Sequence, residues 1–130
     1  MVTVAYLDTS AAIKLVVEEP ESSALVDALM SEPERRLVAC WLLHTEMHCA
    51  TGRHPDDVSI DGVQAVLDAV NLVDLTRGDM IAAGTHAPLR SNDAIHLAVA
   101  IRLGVDEMVT YDGELADAAS RAGLRVFAPA

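Results

Sequence analysis

Short apolar, β-prone runs that alternate with helical patterns constrain this chain more than any other feature. The first run, residues 3–7 (Thr-Val-Ala-Tyr-Leu), breaks off at Asp8, and Thr9 and Ser10 then open a helical pattern. Further strand-like runs fall at 37–40, 71–75, 107–110 and 125–127. Helical patterns fill the intervals at 10–17, from Pro20 up to Ser31, and at 41–52, 60–70, 77–86, 92–103 and 113–122. Strand-like runs alternating with helical patterns predict an α/β sandwich, with a central, mostly parallel sheet of four to five strands and helices on both sides. No linker, repeat or low-complexity tract interrupts the pattern, so residues 1–130 read as one domain.

Local signals mark the element boundaries. Pro20 suits the first turn of the second helix, with Glu18, Glu19 and Glu21 near its positive end. Thr76 and Asp79 have the spacing of a capping box, and Ser91 reads as a cap for the most apolar helix. Gly52, Gly104 and Gly123 stand where helices should stop.

Charge narrows the function classes. Nine basic residues face twenty acidic ones, for a net charge of -11. That excludes a non-specific nucleic-acid coat, which needs a basic surface. It leaves open an enzyme that meets nucleic acid through bound cations, and it suits a basic protein partner. One Trp, two Tyr and one Phe give no platform on which several bases could stack. No apolar run approaches the ~20 residues of a membrane span, and the start lacks the pattern of a signal peptide, so a cytoplasmic protein is expected. Cys40 and Cys49 form neither a CxxC pair nor a disulfide framework and read as free buried thiols.

Most of the acids lie in polar turns or at helix starts and read as solvated surface. Four do not. Asp8 ends the first strand and Asp112 follows the fourth. Glu46 lies on a helical stripe with Leu42, Cys49 and Ala50, and Asp93 lies in the first turn of the most apolar helix. Each has an ordinary reading: Asp8 and Asp112 as helix caps, Asp93 as a partner of the helix dipole, Glu46 as the mate of an Arg. One acidic pocket at the strand ends accounts for all four together, since ligand sites of open α/β sheets lie there. Two unit charges ~5 Å apart repel by about 3 kcal/mol at an effective dielectric of 20, so such a pocket calls for a cation. All-carboxylate ligation points to Mg2+ or Mn2+.

The set Tyr6-Leu7-Asp8-Thr9-Ser10, an inward Glu46, Leu89-Arg90-Ser91-Asn92-Asp93-Ala94-Ile95-His96-Leu97-Ala98 and Val109-Thr110-Tyr111-Asp112-Gly113-Glu114-Leu115 resembles the PIN domains. More narrowly, it resembles the VapC-type ribonuclease toxins of prokaryotic toxin–antitoxin pairs, across the whole chain and in order. The resemblance implies a Mg2+- or Mn2+-dependent ribonuclease that leaves 5′-phosphate and 3′-hydroxyl ends. It places the catalytic and metal-binding acids on Asp8, Glu46, Asp93 and Asp112, and the supporting hydroxyls on Thr9, Ser10 and Thr110. It also implies RNA as substrate, a VapB-like antitoxin as partner and a homodimer. Two positions depart from the family pattern: Asn92 stands where an apolar residue is usual, and Cys49 lies where relatives often carry Arg shortly after the Glu. Lys14, Arg90 and Arg53 are candidate phosphate contacts, and each also reads as solvated surface.

Other groupings are weaker. In His44-Thr45-Glu46-Met47-His48 the Glu comes two residues after the first His, not one, so this is not a metalloprotease helix. His44 and His48 point away from Glu46 and read as surface or interface residues. His96, three residues after Asp93, either touches the edge of the site or packs. Arg35 and Arg36 read as solvated. A phosphatase or phosphotransfer domain also places an Asp after an early strand, but such folds use a late Lys for phosphate, and the one Lys here is Lys14. An inactive PIN-like protein-binding module is the third reading.

Overall fold

Asp8 stands at a reversal of strand order, and the sheet is best described from there. The computed structural model describes residues 2–130. Its strands are β1 (Thr3–Leu7), β2 (Arg35–Cys40), β3 (Asn71–Val73), β4 (Glu107–Val109) and β5 (Arg125–Phe127). They form one sheet in the order β3-β2-β1-β4-β5. Every pairing is parallel, so the expected mostly parallel sheet is wholly parallel. The chain first winds outward from β1 through β2 to β3, then returns to β4 on the other side of β1. The crevice between the carboxyl ends of β1 and β4 is therefore the switch point at which open α/β sheets bind ligands.

The helices are α1 (Thr9–Lys14), α2 (Ser22–Met30), α3 (Leu42–Arg53), α4 (Ile60–Asp68), α5 (Arg77–Ala83), α6 (Ser91–Leu103) and α7 (Gly113–Arg121). Contacts link α1 to α3 and α3 to α4 in one layer, and α5 to α6 and α6 to α7 in the other. Covered on both faces, the central strands bury continuous runs rather than alternate residues: Ala5, Tyr6 and Leu7, then Val38, Ala39 and Cys40, then Met108 and Val109. Leu43 and Met47 of α3, and Leu97, Val99 and Ala100 of α6, complete the core. Among the described residues no helix is long and apolar enough to cross a membrane.

Several boundaries differ from the sequence reading. α1 stops at Lys14 rather than at residue 17, and α2 starts at Ser22 rather than at Pro20. β-branched Val16 and Val17 favour helix weakly, and the buried Ser22 hydroxyl closes the loop between the two helices. It accepts from the Glu19 N–H at 2.9 Å and donates to the Val17 carbonyl at 3.0 Å. α6 begins one residue earlier than expected, with Arg90 rather than Ser91 at its cap position and Gly104 ending it in the left-handed conformation (φ 63°). The Thr76–Asp79 capping box is present, and Asp79 also holds Arg102 at 2.7 Å.

The reading of Arg35 as solvated is overturned. Its side chain is 7% exposed and its Nε donates to Glu107 Oε1 at 2.8 Å, with Glu107 itself buried in β4. The Arg35 guanidinium lies 4.5 Å from the centre of the Phe127 ring, and Arg125 reaches the second Glu107 oxygen at 3.0 Å. A buried acid needs this pairing, and its two partners, Arg35 and Arg125, come from far apart in the chain.

Candidate functional site

The site grows from the end of β1. Asp8 is the N-cap of α1, and its Oδ1 accepts from the Ala11 N–H at 3.0 Å. The Ser10 hydroxyl donates to both Asp8 oxygens, at 2.8 and 3.0 Å, and the Thr110 hydroxyl donates to Oδ2 at 2.6 Å. These donors fix a carboxylate that is 2% exposed. Burial pushes its pKa up, although the hydrogen bonds from Thr110, Ala11 and Ser10 pull the other way. Ser10 and Thr110 are themselves held, since Ser10 Oγ accepts from the Tyr111 N–H at 2.9 Å and Thr110 Oγ1 from the Asp112 N–H at 3.1 Å. The two hydroxyls therefore stitch the segment after β4 to the segment after β1.

Asp112 caps α7, accepting from the Leu115 N–H at 2.8 Å. Asp93 lies half-buried in the first turn of α6. Its pKa is pushed up by burial and then by the charges of Asp112 and Asp8, with Glu46 adding to them. The four acids thus share one electrostatic field. Among the described residues, no Lys or Arg forms an ion pair with Asp8, Asp93 or Asp112. Among those residues, too, no three His, Cys, Asp or Glu side chains are gathered into a set that would hold a metal ion as they stand. The donors nonetheless suit a hard divalent cation in kind and in charge, being carboxylate oxygens among which Asp93 is pushed up by its acidic neighbours and Asp8, Asp93 and Asp112 have no Lys or Arg paired to them among the described residues.

Glu46 is placed differently from the expectation. The core face of α3 is Leu43, Met47 and Ala50, and the stripe of Leu42, Glu46 and Cys49 faces α1 instead. It lines a cleft of about 260 Å³ together with Thr9, Ile13, Asn92 and Arg53. Cys49 is accordingly exposed, and only Cys40 is the buried thiol expected of both. Glu46 Oε1 accepts from Thr9 Oγ1 at 2.7 Å and from His96 Nε2 at 2.5 Å. Asn92 Nδ2 lies 3.4 Å from Oε2. Burial raises the Glu46 pKa, but the His96 hydrogen bond and charge, then Thr9 and Asn92, outweigh it and hold the carboxyl below its usual value.

His96 resolves toward the site rather than toward packing alone. It is 1% exposed, its Nδ1 pairs with the Tyr6 hydroxyl at 2.7 Å, and the Cys40 N–H donates to that hydroxyl at 3.1 Å. Burial lowers the His96 pKa, yet its hydrogen bonds to Cys40 and Glu46 and the Glu46 charge push it up to about 10. Its role in holding Glu46 was the part sequence reasoning missed. The available signal was a His embedded among Ile95, Leu97 and Ala98, since a buried imidazole needs partners.

The candidate phosphate contacts separate. Lys14 is drawn to Glu21 at 3.2 Å and Glu19 at 3.6 Å, with its ammonium 4.8 Å from the centre of the Tyr111 ring. Arg90 is exposed at the start of α6, and Arg53 is exposed at the end of the cleft that holds Glu46. The His44 and His48 rings lie 4.4 Å apart, tilted by 45°, and His44 in turn lies 5.2 Å from the Trp41 ring.

Comparison with known proteins completes the description. The PIN-domain family model matches residues 5–120. Ribonuclease VapC46 of Mycobacterium tuberculosis is 40% identical over 128 residues, which cover 95% of this chain and 96% of that protein. Among solved structures, VapBC2 from Rickettsia felis bound to a DNA fragment from its promoter aligns with a TM-score of 0.73 at 13% identity, covering 98% of this chain and 100% of the other. The M. tuberculosis toxin VapC20, which cleaves the sarcin–ricin loop, aligns with a TM-score of 0.71 at 16% identity, covering 88% and 94%. At those identities the two structures speak to the fold alone.

Proposed function

The chain belongs to the VapC group of the PIN-domain family, and from that premise we propose that it is the ribonuclease toxin of a toxin–antitoxin pair. It hydrolyses RNA phosphodiesters with Mg2+ or Mn2+ held by Asp8, Asp93, Asp112 and Glu46. The observation that carries this reading is Asp93, whose carboxyl is pushed up by burial and by the charges of Asp112 and Asp8 with no Lys or Arg paired to any of the three among the described residues.

When bound, the cation supplies positive charge to the scissile phosphate and activates the attacking water. The protein's own groups prepare that site. Thr110, Ser10 and the Ala11 N–H hold Asp8 in one orientation, and Thr9 does the same for Glu46. Arg90, three residues before Asp93 and exposed, meets a phosphate that flanks the scissile one. Arg53 offers a second contact along the cleft from Glu46. Lys14 reaches RNA only by leaving Glu21 and Glu19.

The partner is a VapB-like antitoxin that presents a basic side chain to the acidic crevice, a match for a chain of net charge -11. The homodimer uses the apolar surface left on α2 and at the start of α3, where Val26, Met30 and Trp41 are exposed. Expression of the chain in a bacterial host tests the reading. Growth should stop, RNA should be cut, and both effects should vanish with Asp8→Asn or on co-expression of the small protein encoded next to it. Arrest that persists in Asp8→Asn would contradict the proposal. Release of phosphate from small phosphoesters without RNA cleavage would favour a phosphatase.

A further inference from the structure

Glu46 does not stand alone in its cleft. Its Oε1 receives two donors, Thr9 Oγ1 at 2.7 Å and His96 Nε2 at 2.5 Å. Its Oε2 meets only the exposed Asn92 amide, at 3.4 Å. An ionised carboxylate only accepts, so Nε2 carries the hydrogen it shares with Glu46 in either protonation state of the ring. The far nitrogen, Nδ1, is held by the Tyr6 hydroxyl at 2.7 Å, and that hydroxyl is anchored in turn by the Cys40 N–H at 3.1 Å. The Tyr6 and His96 rings pack edge to face, with centroids 5.6 Å apart, and both are buried. The chain of contacts runs from β2 through β1 and α6 to α3.

We propose that His96, braced by Tyr6, is a positioning residue that holds Glu46 by Oε1 and so presents Oε2 alone to the divalent cation. The inference rests on the reading of Glu46 as a cation ligand given above. It assigns a task to two residues outside the four acids. Packing alone would fill the space without directing one ring nitrogen at one carboxylate oxygen. Partners that orient a ligating group in this way are worth about 10–100-fold in metal affinity or activity.

The two amides that imitate the two ring nitrogens separate positioning from filling. In the full-length chain, His96→Gln keeps a donor near the place of Nε2, whereas His96→Asn keeps one near Nδ1 and leaves Glu46 Oε1 with Thr9 only. Mn2+ binding is followed by calorimetry and by the electron paramagnetic resonance of free Mn2+. RNA cleavage is resolved into kcat and KM, and thermal unfolding checks the fold. His96→Gln should bind Mn2+ within about threefold of wild type, and His96→Asn should bind it about 10–100-fold more weakly. The kcat at fixed Mn2+ should fall in parallel, with the KM for RNA unchanged. Equal Mn2+ binding by the two folded variants overturns the inference. If neither variant folds, Tyr6→Phe decides, because it keeps the His96 ring and removes the hydroxyl that braces Nδ1, freeing the Cys40 N–H as well: weaker Mn2+ binding by the folded variant upholds the inference and wild-type binding overturns it. Wild type and Glu46→Gln serve as controls. If wild type binds no Mn2+, or Glu46→Gln binds it as wild type does, the ligand reading of Glu46 fails and the inference falls with it. If Glu46→Gln is impaired while His96→Asn is not, the inference alone falls.

Discussion

The Thr110 hydroxyl donates to Asp8 Oδ2 at 2.6 Å, joining residues 102 positions apart at the neighbouring ends of β4 and β1. The bond connects the two strands across the switch point and stabilises the charged form of a carboxylate that burial disfavours. It therefore serves fold and site together.

Replacing Thr110 with Val keeps the shape and removes both the donor to Asp8 and the acceptor of the Asp112 N–H. Loss of one hydrogen bond to a buried charged group costs about 1–3 kcal/mol, which urea unfolding at neutral pH should register. Thr110 pulls the Asp8 pKa down against burial, so without it the pKa rises further and a higher pH is needed to ionise Asp8. The acid limb of the pH–cleavage profile of Thr110→Val should therefore lie at higher pH than that of wild type.

Asp93→Asn should trade activity for stability. The side chain has a raised pKa from burial and from the Asp112 and Asp8 charges, so its ionised form opposes folding. At pH 7 the variant should melt about 2–4 °C higher and show no detectable RNA cleavage. The sign follows from linkage. The penalty is absent below the unfolded-state pKa, where Asp93 is protonated in both states, and appears as pH rises through the higher folded-state value. The stability gain should accordingly vanish in acid.

Much of this was legible in the sequence, and the remainder had physical reasons for being hidden. Asp8 follows an apolar run directly and Asp112 comes three residues after the end of another, and that position beyond a strand is a local property. The sheet followed from the alternation of strand and helix. Glu46 was found, and its carboxylate does turn inward onto buried His96, but from a stripe that borders a cleft rather than the core. Leu42, Cys49 and Ala50 made its stripe look like core, whereas Leu43 and Met47 are the buried residues and the stripe borders a cleft. The Tyr6–His96–Glu46 contact joins β1, α6 and α3, and no spacing along the chain encodes it. Arg35 looked like ordinary surface charge because its partner Glu107 lies 72 residues away in β4.

The buried Arg35–Glu107 pair should be costly to break and cheap to replace. Arg35→Ala strands Glu107, with only the largely exposed Arg125 still bound to it, and should lose about 3–5 kcal/mol in urea unfolding. The double replacement Arg35→Met with Glu107→Leu should recover most of that loss, because no charge is then left buried without a partner.

The exposed cations should read out in the salt dependence of RNA binding. With Ca2+ in place of Mg2+, Arg90→Ala should lower the slope of log K against log salt by about 0.7, the value of one contact to single-stranded phosphate. Lys14→Ala should lower it less, since Lys14 is already engaged by Glu21 and Glu19.

The central claim is that the acids around Asp8 and Asp93 cut RNA through a divalent cation, and cleavage of RNA by the purified chain during metal removal and return tests it most directly. Cleavage should stop in EDTA, return when Mg2+ or Mn2+ is added in excess, and remain absent from Asp8→Asn and Asp93→Asn under every condition. Cleavage that continues in EDTA, or that survives in either variant, would contradict it.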